Sequence, residues 1–272
     1  MRCLCIIPTY NERENLPRLV SDLLDRVPGL EVLVVDDGSP DGTADVAGEL
    51  AEATGRVRVL RRVGKMGLGS AYVTGFGYAL EHGYDYVIQM DADLSHRPED
   101  LPRLLEAARE GAGVAIGSRY VPGGRVEDWS SVRRLVSKGG SLYARTILGL
   151  PIRDCTSGFK CFWREALEAV DFAGVRSNGY GFQVEMNYLC HRAGLQIVEV
   201  PIVFPDRTAG RSKMSFGIFL EATMLVWKLR YRKKPSYRRA APAKVWASTP
   251  YTYADTELSR PVRRLERGRV SE

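Results

Sequence analysis

Asp91 and Asp93 flank Ala92 where an apolar run, Asp85-Tyr-Val-Ile-Gln-Met90, comes to an end. Residues two apart on a strand point to the same side, so the spacing lets both carboxylates reach one spot at the strand end. Two hard oxygen ligands beside an open position suit a divalent ion that keeps waters and takes its remaining ligands from substrate phosphates. The same tripeptide also fits a solvated turn, and the residues around it have to decide between the two. Asp36 and Asp37 are adjacent, so at a strand end they face opposite ways. One can point into a cleft, where a carboxylate accepts N–H groups from a base. The other braces the turn-rich stretch Asp37-Gly-Ser-Pro-Asp-Gly42.

Arg119, Arg133, Arg207 and Lys213 are the basic candidates, because a guanidinium suits bidentate phosphate contact. Arg207-Thr-Ala-Gly-Arg-Ser-Lys213 reads as a basic loop with Gly210 as a hinge, as expected of a lid over phosphates. Gly64-Lys-Met-Gly-Leu-Gly69 fails the dinucleotide test: its spacing is not GxGxxG, it follows the third strand, and no acid lies at the required distance. These glycines are better explained by a tight turn and close helix packing. His96, near the acidic pair, reads as an exposed loop residue.

These residues need a scaffold. Strands are expected near Arg2–Ile7, Glu31–Val35, Val57–Leu60, Tyr84–Met90, Val114–Ile116 and Ile197–Val203. Helices are expected near Glu14–Arg26, Ala44–Thr54, Leu68–Glu81, Pro98–Arg109, Val132–Leu148, Arg164–Val170 and Gly181–Ala193. Alternation of apolar strands with helices predicts an α/β fold with a mostly parallel sheet between helices. Ligands of such sheets lie outside the carboxyl ends of the strands. The polar clusters fall there: Pro8 to Glu12, Asp36 to Ser39, Asp91 to Asp93 and Gly117 to Arg119.

A chain of 272 residues, 44% apolar and 26% charged, can bury a full core. No run approaches the ~18 apolar residues of a membrane span. Met1 to Ile7 reads as a first buried strand rather than a signal-peptide core. Cys3, Cys5, Cys155, Cys161 and Cys190 lack CxxC or zinc spacing, so reduced thiols and a cytoplasmic setting are expected. The net charge of +6 is uneven: seven cations and no acid lie between Lys228 and Arg239. Before them Phe216, Ile218, Phe219, Leu220, Met224, Leu225, Trp227 and Tyr231 form an apolar face, the build of an interfacial membrane helix. Neither interleaved stacking aromatics nor a reader motif is present, so an anionic membrane surface is the expected partner and nucleic acid is not. Division into a catalytic domain over 1–230 and a basic, disordered tail over 231–272 follows, since residues 240–272 lack apolar periodicity.

In chain order the loops are Ile6-Ile-Pro-Thr-Tyr-Asn-Glu-Arg-Glu-Asn-Leu16, Val34-Val-Asp-Asp-Gly-Ser-Pro-Asp-Gly-Thr43 and Gly67-Leu-Gly-Ser-Ala-Tyr72. Met90-Asp-Ala-Asp-Leu-Ser-His96, Gly117-Ser-Arg-Tyr120, Thr156-Ser-Gly-Phe159 and Arg207 to Lys213 follow. With these, residues 1 to 227 resemble family 2 glycosyltransferases of the GT-A fold, of the dolichol- or polyprenol-phosphate mannose synthase kind. The resemblance implies a GT-A domain, Mg²⁺ or Mn²⁺, and transfer of mannose from GDP-mannose to a polyprenyl monophosphate at the inner face of a membrane. It implies that Pro8, Tyr10, Glu12, Val35 and Asp37 line the nucleoside pocket. Asp91, Ala92 and Asp93 would meet the metal and sugar diphosphate, with Arg119, Arg207 and Lys213 on phosphates. Arg119, Arg133 and Ser137 would receive the lipid phosphate. Ser95 departs from the family, which often carries Gln there as a further metal ligand. Some relatives append membrane spans, and a membrane-anchoring subunit is a further implied partner. UDP-glucose as donor, and a non-catalytic nucleotide-sugar-binding module, are the alternatives.

Overall fold

The computed structural model describes residues 1–205, 216–232 and 251–253. In chain order they form β1 (Cys3–Thr9), α1 (Leu16–Arg26), β2 (Leu30–Asp36), α2 (Thr43–Thr54), β3 (Val57–Arg62), α3 (Leu68–Glu81) and β4 (Tyr86–Gln89). A 3-10 turn (Pro98–Asp100) leads into α4 (Leu101–Arg109), then β5 (Val114–Ser118), β6 (Arg125–Val126), α5 (Ser131–Leu148), β7 (Lys160–Trp163) and α6 (Arg164–Ala169). A second 3-10 turn (Phe172–Gly174) precedes α7 (Gly179–Arg192), β8 (Ile197–Pro201), β9 (Val203–Phe204), α8 (Phe216–Tyr231) and β10 (Tyr251–Tyr253).

The main sheet runs β10-β3-β2-β1-β4-β7-β5-β8, with β6 and β9 as a separate parallel pair. Strands β3, β2, β1 and β4 are mutually parallel, as are β5 and β8, while β7 lies antiparallel between β4 and β5. Side chains alternate strictly across the sheet, as the strand period requires. Leu4, Ile6, Leu33 and Val35 face the core under α3 and α7, and Cys5, Ile7, Val32 and Val34 face the core under α1 and α4. Both faces are covered, which explains the near-continuous apolar strand sequences.

The expected α/β architecture is present, with differences that have physical causes. β4 stops at Gln89, so Asp91 and Asp93 lie just past the strand rather than closing it. The run expected as one strand over Ile197–Val203 divides at Ile202, whose amide donates to the Ser118 carbonyl while β9 turns to pair with β6. β7 carries a fully buried lysine among four residues, a composition without a strand signal. Of the expected tail, residues 251–253 form an edge strand against β3, whose outer backbone groups otherwise lack a ladder partner. The remainder beyond Arg232 lies outside the described residues. All five cysteines are free and buried.

Helix α3 lies unusually close to the sheet. A Cβ on Gly75 would stand 2.5 Å from Ile6 Cγ2, and one on Gly69 would stand 2.4 Å from the Ser177 carbonyl. Gly75→Ala should therefore destabilise the protein by about 1–2 kcal/mol in urea unfolding, overpacking outweighing the gain in helix propensity.

Candidate active site

The sheet register brings the polar loops to one edge. Thr9 pairs with Asp36 and Asp36 with Arg61, so the ends of β1, β2 and β3 stand side by side. Gln89 pairs with Lys160, and Lys160 with Ile116. Because β7 runs antiparallel, its lead-in, Thr156 to Phe159, enters between the carboxyl ends of β4 and β5. The Gly117 amide accordingly donates to the Phe159 carbonyl at 2.9 Å.

The two adjacent aspartates divide their work. Asp36 Oδ1 accepts from Thr9 Oγ1 and Ser39 Oγ, and Oδ2 from the Ser39 amide, so it braces the β1 and β2 loops. Asp37 Oδ1 takes Arg62 Nε at 2.5 Å together with Nη2, and Oδ2 takes the amides of Met66 and Gly67, each at 3.1 Å. A carboxylate has about four acceptor sites, so a base donor reaches Asp37 only by displacing one of these. Burial weakens the Arg62 guanidinium's hold on its proton more than Asp37 restores it, leaving its pKa below the ordinary value. Pro8, Tyr10 and Glu12 are half-buried at the same edge. Lys65 Nζ stands 4.0 Å over the Tyr10 ring, and Glu12 Oε2 accepts from Asn15 Nδ2 at 2.8 Å. Val35 is fully enclosed in the core, so only its backbone can face a nucleoside.

Asp91 and Asp93 are half-buried, and Ala92 between them is buried. Asp91 Oδ1 accepts from Tyr72 Oη at 2.8 Å. Asp93 Oδ1 accepts from the Ser95 amide and hydroxyl. Ser95 is 1% exposed and orients Asp93 through both its amide and its hydroxyl. Leu94 takes a left-handed φ of 58° to let the loop fold back, a conformation that costs a non-glycine residue of order 1–2 kcal/mol. The described residues contain no group of three or more His, Cys, Asp or Glu that could hold a metal. Two carboxylates of hard oxygen fit Mg²⁺ or Mn²⁺ that shares phosphates and waters, and do not fit a closed zinc site. His96 is buried, not exposed as expected, with its ring 5.2 Å from Phe159 and 5.3 Å from Phe204.

Arg119 is the most constrained cation of the site. Nε and Nη2 each bond Asp154 at 2.7 Å, Nη2 also reaches Thr156 Oγ1 at 2.8 Å, and the Arg119 amide bonds Asp154 at 3.0 Å. Burial opposes both charges, but the partners' mutual attraction and hydrogen bonds prevail, raising the Arg119 pKa and lowering that of Asp154. Asp154 was not legible from the sequence as a site residue; its only signal is an acid two residues before the Thr156-Ser-Gly158 motif. Arg119, Arg133, Ser137 and Thr156 line one cavity of about 400 Å³. Its other walls include Trp129, Tyr143, Val184, Leu225 and Val226 from the segment before α5 and from α5, α7 and α8. The Arg133 guanidinium lies 4.0 Å over the Trp129 ring, and Tyr120 Oη donates to Ser137 Oγ at 2.7 Å. From Thr156 in the cavity wall the chain runs two residues to Gly158, where a Cβ would stand 2.9 Å from Asp91 Oδ2. The two halves of the site thus meet across one short segment. Arg207 and Lys213 lie outside the described residues.

Behind this edge Lys160 is fully buried, its Nζ 2.6 Å from Gln183 Oε1, which also accepts from Gln89 Nε2 at 2.7 Å. Burial pushes the Lys160 pKa down from 10.5 to about 8. Between those values the unfolded chain keeps a proton the native chain has released, so this group's contribution to stability rises with pH across that window. Urea unfolding should show the stability of the wild type increasing relative to Lys160→Met from about pH 8 to 10.5. Asp154→Asn, which leaves Arg119 buried without its counter-charge, should cost about 3–5 kcal/mol in the same measurement.

Comparison with known proteins agrees with the geometry. The model of glycosyl transferase family 2 matches residues 4–171. An undecaprenyl-phosphate mannosyltransferase of Micrococcus luteus is 52% identical over 234 residues, covering 85% of this chain and 96% of that protein. A polyprenol monophosphomannose synthase of Mycolicibacterium smegmatis is 49% identical, covering 85% and 88%. A dolichol-phosphate mannosyltransferase of Pyrococcus furiosus is 42% identical, covering 84% of this chain and 64% of that protein. Among solved structures, glucosyl-3-phosphoglycerate synthase of Mycobacterium tuberculosis with Mn²⁺, uridine diphosphate and phosphoglyceric acid superposes with a TM-score of 0.60. That match has 23% identity and covers 86% of this chain and 80% of that one, a likeness of fold.

Proposed function

The chain belongs to glycosyl transferase family 2, and from that premise we propose that it transfers mannose from GDP-mannose to a polyprenyl monophosphate, with inversion at the sugar. The names of the relatives at 49% and 52% identity support the sugar and the acceptor class. The observation that carries the reading is the cavity: Arg119, Arg133 and Ser137 line it together with apolar side chains, and Thr156 in its wall is two residues from Gly158, which packs against Asp91. That combination suits a ligand with a phosphate head and a hydrocarbon tail.

The chemistry follows from charge. Breaking a sugar–diphosphate bond leaves negative charge on the departing nucleotide, which Mg²⁺ or Mn²⁺ held by Asp91 and Asp93 would offset. A phosphate monoester, with a second pKa near 6, is largely a dianion at neutral pH. It needs no side-chain base, only to be brought close and aligned. Arg133 brings a second guanidinium to the cavity wall, while Arg119, neutralised by Asp154, supplies directed donors. Together they would hold the acceptor oxygen in line for displacement.

The same reading places the enzyme at an anionic membrane surface. Helix α5 exposes Val132, Leu135, Val136 and Leu142 along one face, and α8 exposes Met224, Trp227 and Tyr231. Arg134, Lys138, Lys228 and Arg230 lie on the same two helices, each worth about 1 kcal/mol near an anionic leaflet. Among the described residues no helix is long and apolar enough to cross a membrane, so docking would be through these faces, with or without an anchoring subunit.

Labelled GDP-mannose and UDP-glucose offered with a short prenyl phosphate and Mg²⁺ or Mn²⁺ test the proposal. Mannose-labelled lipid in the organic phase, lost on chelation, is the expected result; glucose label there would instead assign the rival donor. Arg133→Ala should raise the KM for prenyl phosphate about 10- to 100-fold, the loss of a charge-assisted contact. Normal turnover in Arg133→Ala combined with Ser137→Ala would rule out a lipid-phosphate acceptor.

A further inference from the structure

We propose that Tyr72 is a positioning residue for the metal and sugar-diphosphate site, acting through its hydrogen bond to Asp91. The inference rests on the reading of Asp91 given above and assigns a role to the Gly67-to-Tyr72 motif, which neither phosphate cradling nor dinucleotide binding explains.

Tyr72 is fully buried on α3, its ring stacked 5.7 Å from Phe182 and 6.3 Å from Phe76. Its hydroxyl donates to Asp91 Oδ1 at 2.8 Å. A phenol is an uncharged donor at neutral pH. On the opposite side of the same carboxylate, Gly158 lies so close that an added Cβ would be 2.9 Å from Oδ2. Asp91 is therefore held between a hydroxyl from α3 and the backbone before β7.

The glycines on α3 make this reach possible. A Cβ on Gly69 would meet the Ser177 carbonyl at 2.4 Å, and one on Gly67 would meet Asn178 Oδ1 at 2.7 Å. Side chains there would lift the start of α3, and Tyr72, one turn on from Gly69, would be drawn off Asp91. A carboxylate that must present a fixed oxygen to a cation and a diphosphate loses affinity when free to rotate. The phenol fixes that rotation without adding charge, so it does not compete with the cation.

Calorimetry of GDP binding with and without Mn²⁺, without turnover, tests this directly. In Tyr72→Phe, Mn²⁺-dependent GDP binding should weaken about 10-fold or more, whereas metal-free GDP binding and Tm stay near those of the wild type. Equal weakening with and without Mn²⁺, or no weakening, overturns the role. Gly158→Ala presses on the same carboxylate from the other side. It should also weaken the Mn²⁺-dependent component selectively, which keeps the test open if Tyr72→Phe folds poorly; an unaffected Mn²⁺ component overturns the role. Asp91→Asn separates the two ideas. If it leaves Mn²⁺-dependent binding intact, the reading of Asp91 itself is wrong; if it abolishes that binding while Tyr72→Phe does not alter it, only the positioning role fails.

Discussion

The buried pair between Arg119 and Asp154 is the contact on which the geometry of the site depends. It joins the end of β5 to the segment that leads into β7, through three hydrogen bonds from Arg119 to one carboxylate. The Asp154 amide in turn donates to Glu199 on β8. A buried ion pair contributes little net stability, because desolvation offsets attraction. What it fixes is position. With residue 154 immobilised, Thr156 lies in the cavity wall and Gly158 lies against Asp91. The cavity of Arg119 and Arg133 and the carboxylate of Asp91 are thereby tied to one segment.

A comparable division runs through the donor half. Asp36 ties the first two loops together, and Asp37 is saturated by Arg62 and the turn at Met66 and Gly67. Neither adjacent acid is a free ligand waiting for a base. The edge of the sheet is built as a network in which each of these acids ties neighbouring loops together. Satisfied networks of this kind are rigid, and rigidity is what alignment of two polyanions demands.

Much of this was readable in the amino-acid sequence because parallel sheets impose strong patterns. Apolar runs ending in polar loops located the carboxyl edge, where Asp91 and Asp93 stand just past β4. The paired strands, the α3 boundaries and the shared cavity of Arg119, Arg133 and Ser137 are found in the structure. Contacts made across long sequence separations were not readable. Asp154 meets Arg119 over 35 positions and Tyr72 meets Asp91 over 19, and no local pattern announces either. His96 is buried because Phe159, just before β7, and Phe204 on β9 close over it, which its polar neighbours in sequence conceal. Strand β7 is short, four residues opening on a buried lysine, and so carries little periodic signal.

The reversed direction of β7 has a wider meaning. It is the seam between two parallel ladders, β3-β2-β1-β4 on one flank and β5-β8 on the other. The loops carrying Tyr10, Asp37 and Asp91 hang from the first ladder, while Arg119 hangs from the second. Each ladder keeps its own pairing, so the scaffold behaves as two modules riveted along a single strand. Among the described strands, backbone pairing passes from one flank to the other only through β7.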